Sequence, residues 1–164
     1  METHLSGKIR IRRALPADGP VISDFNRRLA QETENLRLDP AVIGPGVAAV
    51  LTDSSKGLYF VAEIGDDIVG QVMITYEWSD WRNGNIWWLQ SVYVRAEFRR
   101  HGVFRSLFEH LRNLASADPG VFGLRLYMHN DNAKARKTYE RFGMETTHYE
   151  VMELGLRGDG KIET

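Results

Sequence analysis

The sequence predicts an α/β fold, and three observations carry that reading. Two hairpin signals stand close together: Gly65-Asp66-Asp67 between the apolar runs 58–64 and 68–76, and Asn83-Gly84 before Ile86. Asn-Gly is the strongest short-range hairpin signal, so the middle of the chain reads as three meandering antiparallel strands. Downstream, the run IWWLQSVYVRAEFRRHGVFRSLFEHL over 86–111 passes from a buried-looking strand through a basic turn into an amphipathic helix. A strand over 123–128 and a helix opening at Asn132 follow, so the second half runs strand, helix, strand, helix.

Each element has its own signal. Lys8 to Arg13 alternates apolar and basic residues as an edge strand would, and a helix is expected from about Asp18, with Val21, Ile22, Phe25 and Leu29 on its apolar face. Asp39-Pro40 has the makings of an N-cap followed by N1, and Gly44-Pro45-Gly46 is expected to interrupt that helix before 47–51. Residues 86–94 are apolar or aromatic except for Gln90 and Ser91. After Gly102, the residues Val103, Leu107, Leu111, Leu114 and Ala115 recur at helical spacing. Asn132, Ala135 and Tyr139 stand at i, i+3 and i+7 and share a helix face, with Asn132 suited to the N-cap and Gly143 to the C′ position. A last strand is expected over 146–154, and the Gly-rich, charged 157–164 reads as a frayed tail.

Composition bounds the function classes. A chain of 164 residues suits a single domain, 1–164, with a real core. Lys+Arg 21 against Asp+Glu 22 leaves a net charge of −1, which argues against nucleic acid as a partner. There is no cysteine, which excludes disulfides, thiolate metal sites and a cysteinyl acyl intermediate. His4, His101, His110, His129 and His148 lack ligand spacing, so no metal is expected. The first residues lack an apolar signal core and no stretch approaches a membrane span, so the expectation is a soluble, cytoplasmic protein with no membrane partner.

The positive charge is local. Arg95, Arg99, Arg100, His101 and Arg105 crowd the turn at Gly102, where a helix begins. The first N–H groups of a helix have no intrahelical acceptor and carry the positive end of its dipole, so this turn reads as an anion cradle in which Gly102 permits close approach.

The spacing Arg99, two residues, Gly102, one residue, Phe104 resembles the coenzyme A signature of the GNAT superfamily of acyl-CoA-dependent N-acetyltransferases, with Phe104 where the family usually keeps a small residue. Asn132 to Met144 resembles that family's second motif, an Asn, an Ala three on, a Tyr four further and a closing Gly, with Met144 where Phe is usual. The resemblance is specific over 86–144 and topological before that. It implies the GNAT fold, a mixed, mostly antiparallel sheet flanked by helices, and acetyl-CoA as co-substrate. The pyrophosphate would be held by Arg99, Arg100, His101, Gly102, Val103, Phe104 and Arg105. The pantetheine arm would lie along Val92, Tyr93 and Val94 like an added strand, with a main-chain N–H near Val92 polarising the thioester carbonyl. Asn132 and Ala135 would complete the cofactor side.

The chemistry then assigns roles. An amine attacking a thioester must be neutral, its oxyanion must be stabilised, and the departing thiolate needs a proton. Through the resemblance, Tyr139 is the expected acid. The base stays open between a water chain and one of Glu32, Glu34, Glu77, Asp80 and His129, because Gln90 and Ser91 occupy the strand where many relatives carry a carboxylate. Glu32 and Glu34, at the joint of the first two helices, would favour a cationic amine, with Gln90 and Ser91 also on the acceptor side. Trp78, Trp81, Trp87 and Trp88, with Tyr76 and Tyr93, read first as cross-strand packing and second as an acceptor wall or dimer contact. The expected function is acetyl transfer to a primary amine of a small cationic molecule by a homodimer. The alternatives are a protein or peptide N-acetyltransferase and a non-catalytic CoA-binding regulatory module.

Overall fold

The computed structural model describes residues 7–158, which form two compact units, 7–126 and 127–158. In the first, β1 (Ile9–Arg13) and a 3-10 turn (Pro16–Asp18) lead to α1 (Gly19–Glu34) and α2 (Pro40–Thr52). The strands β2 (Leu58–Ile64), β3 (Asp67–Ser79) and β4 (Gly84–Val94) follow, then α3 (Val103–Ala117) and β5 (Val121–Arg125). The sheet order is β1-β2-β3-β4-β5, antiparallel throughout except for the parallel pair β4/β5.

Alternate residues of β2 serve opposite faces, as the period of two requires. Tyr59 and Val61 join Ala14, Ile22 and Val47 in a cluster under α1 and α2. Phe60 points the other way, with its ring 5.3 Å from that of His110 on α3. Helix α3 buries Val103, Leu107, Leu111 and Ala115 as its periodicity predicts, but Leu114 is exposed and Phe108 is buried in its place, because the buried stripe turns toward the Phe108 side of the helix. Its start sits close over the sheet: a Cβ at Gly70 would stand 2.9 Å from Val103 Cγ1 and 3.1 Å from the Tyr93 carbonyl oxygen.

Three expectations need correction. Gly44-Pro45-Gly46 does not interrupt α2, which runs unbroken from Pro40 to Thr52. Proline removes one ladder bond, but Ile43, Val47, Val50 and Leu51 pack into the α1/α2 cluster and hold the helix together. The strand expected over 123–128 begins and ends earlier, at Val121–Arg125, where β4 offers a parallel partner. Residues 146–154 form no strand, because alternation becomes a strand only where a neighbouring edge takes its N–H and C=O groups, and they have no such pairing. Part of the predicted tail, 159–164, lies outside the described residues.

The second unit holds α4 (Ala133–Arg141). Both of its ends are fixed locally. The Asn132 side chain accepts from the Ala135 N–H at 3.0 Å. At the other end Gly143, at φ +87°, directs its own N–H to the Glu140 carbonyl and that of Met144 to the Tyr139 carbonyl, the Schellman closure. Arg136 also donates to Thr146 Oγ1 at 2.8 Å. Among the described residues no helix is long and apolar enough to cross a membrane.

Candidate active site

In the first unit a candidate cofactor site is built where β4 leaves the sheet. Gln71 pairs with Tyr93 and Met73 with Gln90, so two steps on β3 match three on β4. The extra residue is a β-bulge, and Ser91 within it has φ +50°. The bulge moves β4 out of phase, so Gln90 and Tyr93, three apart, both fall on the α1 side. Pairing with β5 ends at Trp88 and Arg125, and beyond that β4 runs on to Val94 with its outer flank unpaired by any strand among the described residues. Val92 and Val94 lie on this stretch, half-buried, while Tyr93 is buried against Phe25 with ring centroids 5.0 Å apart.

The basic turn continues from there. A 3-10 turn (Ala96–Phe98) precedes Arg99, then Arg100 (φ +67°) and Gly102 (φ +83°) take left-handed conformations before α3. The first donor of the helical ladder is the Ser106 N–H, on the Gly102 carbonyl at 2.9 Å. Left-handed residues that alternate with an ordinary one, as Arg100 and Gly102 do around His101, can turn backbone N–H groups to one side, the geometry that binds anions. Its chain neighbours aside, a Cβ added to Gly102 would meet no atom of the described residues within 4 Å, which leaves space over the turn for a ligand. Arg100, His101 and Arg105 are exposed around it. Val103 is buried and serves the core with its side chain, and Phe104 turns its ring to Phe108 at 6.1 Å.

Arg99 is held from two directions. Its Nε donates to the Val94 carbonyl at 2.9 Å and its Nη2 to Glu32 Oε2 at 2.6 Å, with the guanidinium 5.6 Å from the Tyr93 ring centre. The Tyr93 hydroxyl donates to the other Glu32 oxygen at 3.2 Å. Burial first, and then the Glu32 charge, raise the Tyr93 pKa, which keeps this phenol a donor. The structure thus brings Glu32 to the basic turn, while Glu34 ends α1 exposed to solvent.

Glu77 and Asp80, weighed as bases, and Gln90, expected on the acceptor side, are engaged. Glu77 accepts from Arg125 at 2.6 Å and from the Trp88 indole at 3.1 Å. Asp80 caps the Trp81 N–H at 2.9 Å, and the Gln90 amide donates to Thr75 at 2.6 Å. Trp78 and Trp81 stand exposed at the hairpin tip. In the second unit, Tyr139 is half-buried on α4 and burial raises its pKa, so the phenol keeps its proton. Ala135 lies on the same helix, and the Asn132 oxygen is committed to the cap.

One buried polar group lies outside every sequence motif. Gln71 is fully buried, and its Nε2 donates to Asn26 Oδ1 at 3.0 Å and to the Ser91 carbonyl at 3.1 Å; Asn26 Nδ2 donates in turn to the Tyr59 hydroxyl at 3.0 Å. The signal was present: a lone glutamine inside the apolar run 68–76, and an asparagine four residues after Ile22 on the core face of a helix.

Residues 26–144 match the profile of the acetyltransferase (GNAT) family. The fold is similar to the crystal structure of a possible acetyltransferase from Clostridium difficile 630, at 45% identity and a TM-score of 0.87, covering 92% of this chain and 99% of that one. It is also similar to a predicted acetyltransferase from Clostridium acetobutylicum solved with acetyl-CoA, at 18% identity and a TM-score of 0.73, covering 91% of this chain and 97% of that one. A thialysine N-epsilon-acetyltransferase from Caenorhabditis elegans is 32% identical over 81 residues. That match spans 49% of this chain and 49% of the relative, about half the length of each.

Proposed function

The chain belongs to the GNAT acetyltransferase family, a family of acetyl-CoA-dependent N-acetyltransferases, and from that premise we propose that it acetylates a primary amine on a small cationic molecule. The observation that carries the cofactor half is the pairing of an open β4 flank with a left-handed turn at Arg100 and Gly102, over which a ligand has room. The residues fit the group. N–H and C=O groups of 92–94 align the pantetheine arm, and the backbone at 100–103 faces the pyrophosphate with Arg100, His101 and Arg105 supplying charge.

Acetyl-CoA supplies the thioester. The amine nitrogen forms a bond to the carbonyl carbon as the C–S bond breaks; the nitrogen loses one proton and the thiolate gains one. The Val92 N–H stabilises the oxyanion, and Tyr139 gives its phenolic proton to the departing sulfur. A phenol with a raised pKa is suited to that task because it is protonated at working pH. An amine acceptor is supported by the relative that is a thialysine N-epsilon-acetyltransferase, and a cationic one by the carboxylates at the end of α1. A single-domain cytoplasmic homodimer completes the proposal, with the exposed Trp78 and Trp81 as support for self-contact.

The test is a calorimetric titration with acetyl-CoA followed by an amine panel set against basic peptides. Saturable binding at one site per chain with turnover of small diamines or lysine analogues is the expected result. Turnover of peptides alone would move the acceptor class to protein, and no binding at millimolar acetyl-CoA would overturn the reading.

A further inference from the structure

The bulge in β4 poses a physical question. Ser91 holds φ +50°, a conformation that side-chain-bearing residues avoid, and Ser is not among the residues that adopt it readily. Strain of this kind persists only where the surroundings enforce it. What faces it is a buried polar chain, Tyr59 to Asn26 to Gln71 to the Ser91 carbonyl, running from β2 through α1 and β3 into β4.

The hydrogen-bond chemistry of that chain has one direction. The Ser91 carbonyl can only accept, so Gln71 must present its amide nitrogen there. The same nitrogen reaches Asn26, which must therefore offer its oxygen and turn its own nitrogen to the Tyr59 hydroxyl. Gln71 Oε1 is left buried with no hydrogen-bond partner among the described residues. An apolar residue at this position would carry no such cost, so the amide is kept for what its nitrogen does.

We propose that Gln71, braced by Asn26 and Tyr59, is the positioning residue that sets the Ser91–Val92 peptide and so aims the Val92 N–H at the reacting carbonyl. In a trans peptide the C=O and the following N–H point in opposite directions, and no cis bond occurs in the described chain. Gln71 draws the Ser91 carbonyl toward β3 and α1; the Val92 N–H is thereby turned away from β3, to the flank of β4 that β5 leaves open beyond Trp88. A donor held this way is oriented before the ligand arrives, the condition for oxyanion stabilisation without reorganisation. The inference rests on the proposed acetyl transfer for its catalytic meaning, and on the peptide geometry alone for its structural one.

The test compares wild type, Gln71→Met and Tyr59→Phe. Each is characterised by thermal unfolding, calorimetric CoA affinity, kcat and KM for acetyl-CoA, and the backbone amide signals of Ser91 and Val92 in the ligand-free ¹⁵N-labelled protein. Gln71→Met is expected to bind CoA within about threefold of wild type while kcat falls about 10–100-fold, since removing an oxyanion donor outright costs about 10²–10³. Its Ser91 and Val92 amide signals should move while those of α3 stay in place. Tyr59→Phe, which only loosens the far end, should lower kcat about threefold and remains informative if Gln71→Met does not fold. Unchanged amide signals and kcat in the folded variants would overturn the inference. So would a kcat loss matched by an equal loss of CoA affinity, the mark of general destabilisation. A wild type that neither binds CoA nor turns over would overturn the proposed function instead, and the amide signals would still decide the role of Gln71.

Discussion

Replacing Gly102 by alanine separates what the backbone needs from what a ligand needs. Gly102 caps α3 at φ +83° and ψ 5°, where an L side chain costs about 1–2 kcal/mol. Its chain neighbours aside, a new Cβ meets no atom of the described residues within 4 Å, so no steric clash is added to that penalty. For a chain of this length each kcal/mol shifts Tm by roughly 2–4 °C, so Gly102→Ala should melt about 2–8 °C below wild type. The methyl group stands in the space assigned to the pyrophosphate. Losing one charge-assisted N–H bond to phosphate costs about 1.5–3 kcal/mol, or about 10–100-fold in Kd. Asparagine tolerates the left-handed conformation, so Gly102→Asn should recover much of the melting temperature and none of the affinity. Calorimetric titration with CoA beside thermal unfolding by circular dichroism reads both quantities. If Gly102→Asn restores affinity together with stability, the space over Gly102 holds no phosphate and the cradle argument is wrong.

Three further outcomes follow from particular side chains. Tyr139→Phe should lower kcat at least tenfold with little change in acetyl-CoA affinity. Because burial raises its pKa, the wild-type kcat should show no alkaline descent from this phenol below about pH 10; such a descent, absent in Tyr139→Phe, would contradict the burial argument. Glu32→Gln removes the carboxylate paired with Arg99 at 2.6 Å, and since exposed pairs are worth about 0.2–1 kcal/mol, KM for acetyl-CoA should fall by no more than about fivefold while KM for cationic acceptors rises. Steady-state kinetics with neutral and charged amines checks both, and equal effects on the two amine classes would remove the electrostatic role. Asp18 accepts from Arg12 at 2.7 and 3.0 Å and from the Leu15 N–H at 2.7 Å; the Arg12 hydrogen bonds, opposed by burial and aided by Leu15, hold its pKa down. A depressed carboxylate stabilises the fold above its unfolded value near 3.9, and that stability is lost as pH falls through the folded value. The urea midpoint of wild type should therefore drop more steeply below pH 4 than that of Asp18→Asn, and parallel curves would refute the linkage.

The parts of this fold that the sequence made legible are those with local causes. Asp39 does accept from the Ala41 N–H at 2.9 Å, Asn132 does cap α4, and Gly143 does close it, because a cap is decided within four residues of itself. The meander was legible for the same reason, as its two turns carry their own chemistry. Pro45 misled because the local rule was sound but weaker than the packing of Val47 and its neighbours. Residues 146–154 misled because alternation specifies a face and not a partner.

What the sequence hid at the site is governed by separation along the chain. Glu32 meets Arg99 across 67 positions and Gln71 meets Ser91 across 20, and neither distance leaves a trace in periodicity. The bulge shows the consequence most clearly. Read at a strict period of two, Gln90 and Val92 would share a face and Tyr93 would oppose them; with one extra residue, Gln90 and Tyr93 share the α1 side instead, and Tyr93 can reach Glu32. A glutamine on β3 that no ligand motif includes therefore bears on which groups of β4 face α1 and which face the open flank. On the proposed reading the segments that resemble the GNAT motifs would hold the cofactor, and the buried polar chain from Tyr59 through Asn26 and Gln71 would set the Ser91–Val92 peptide that meets its carbonyl.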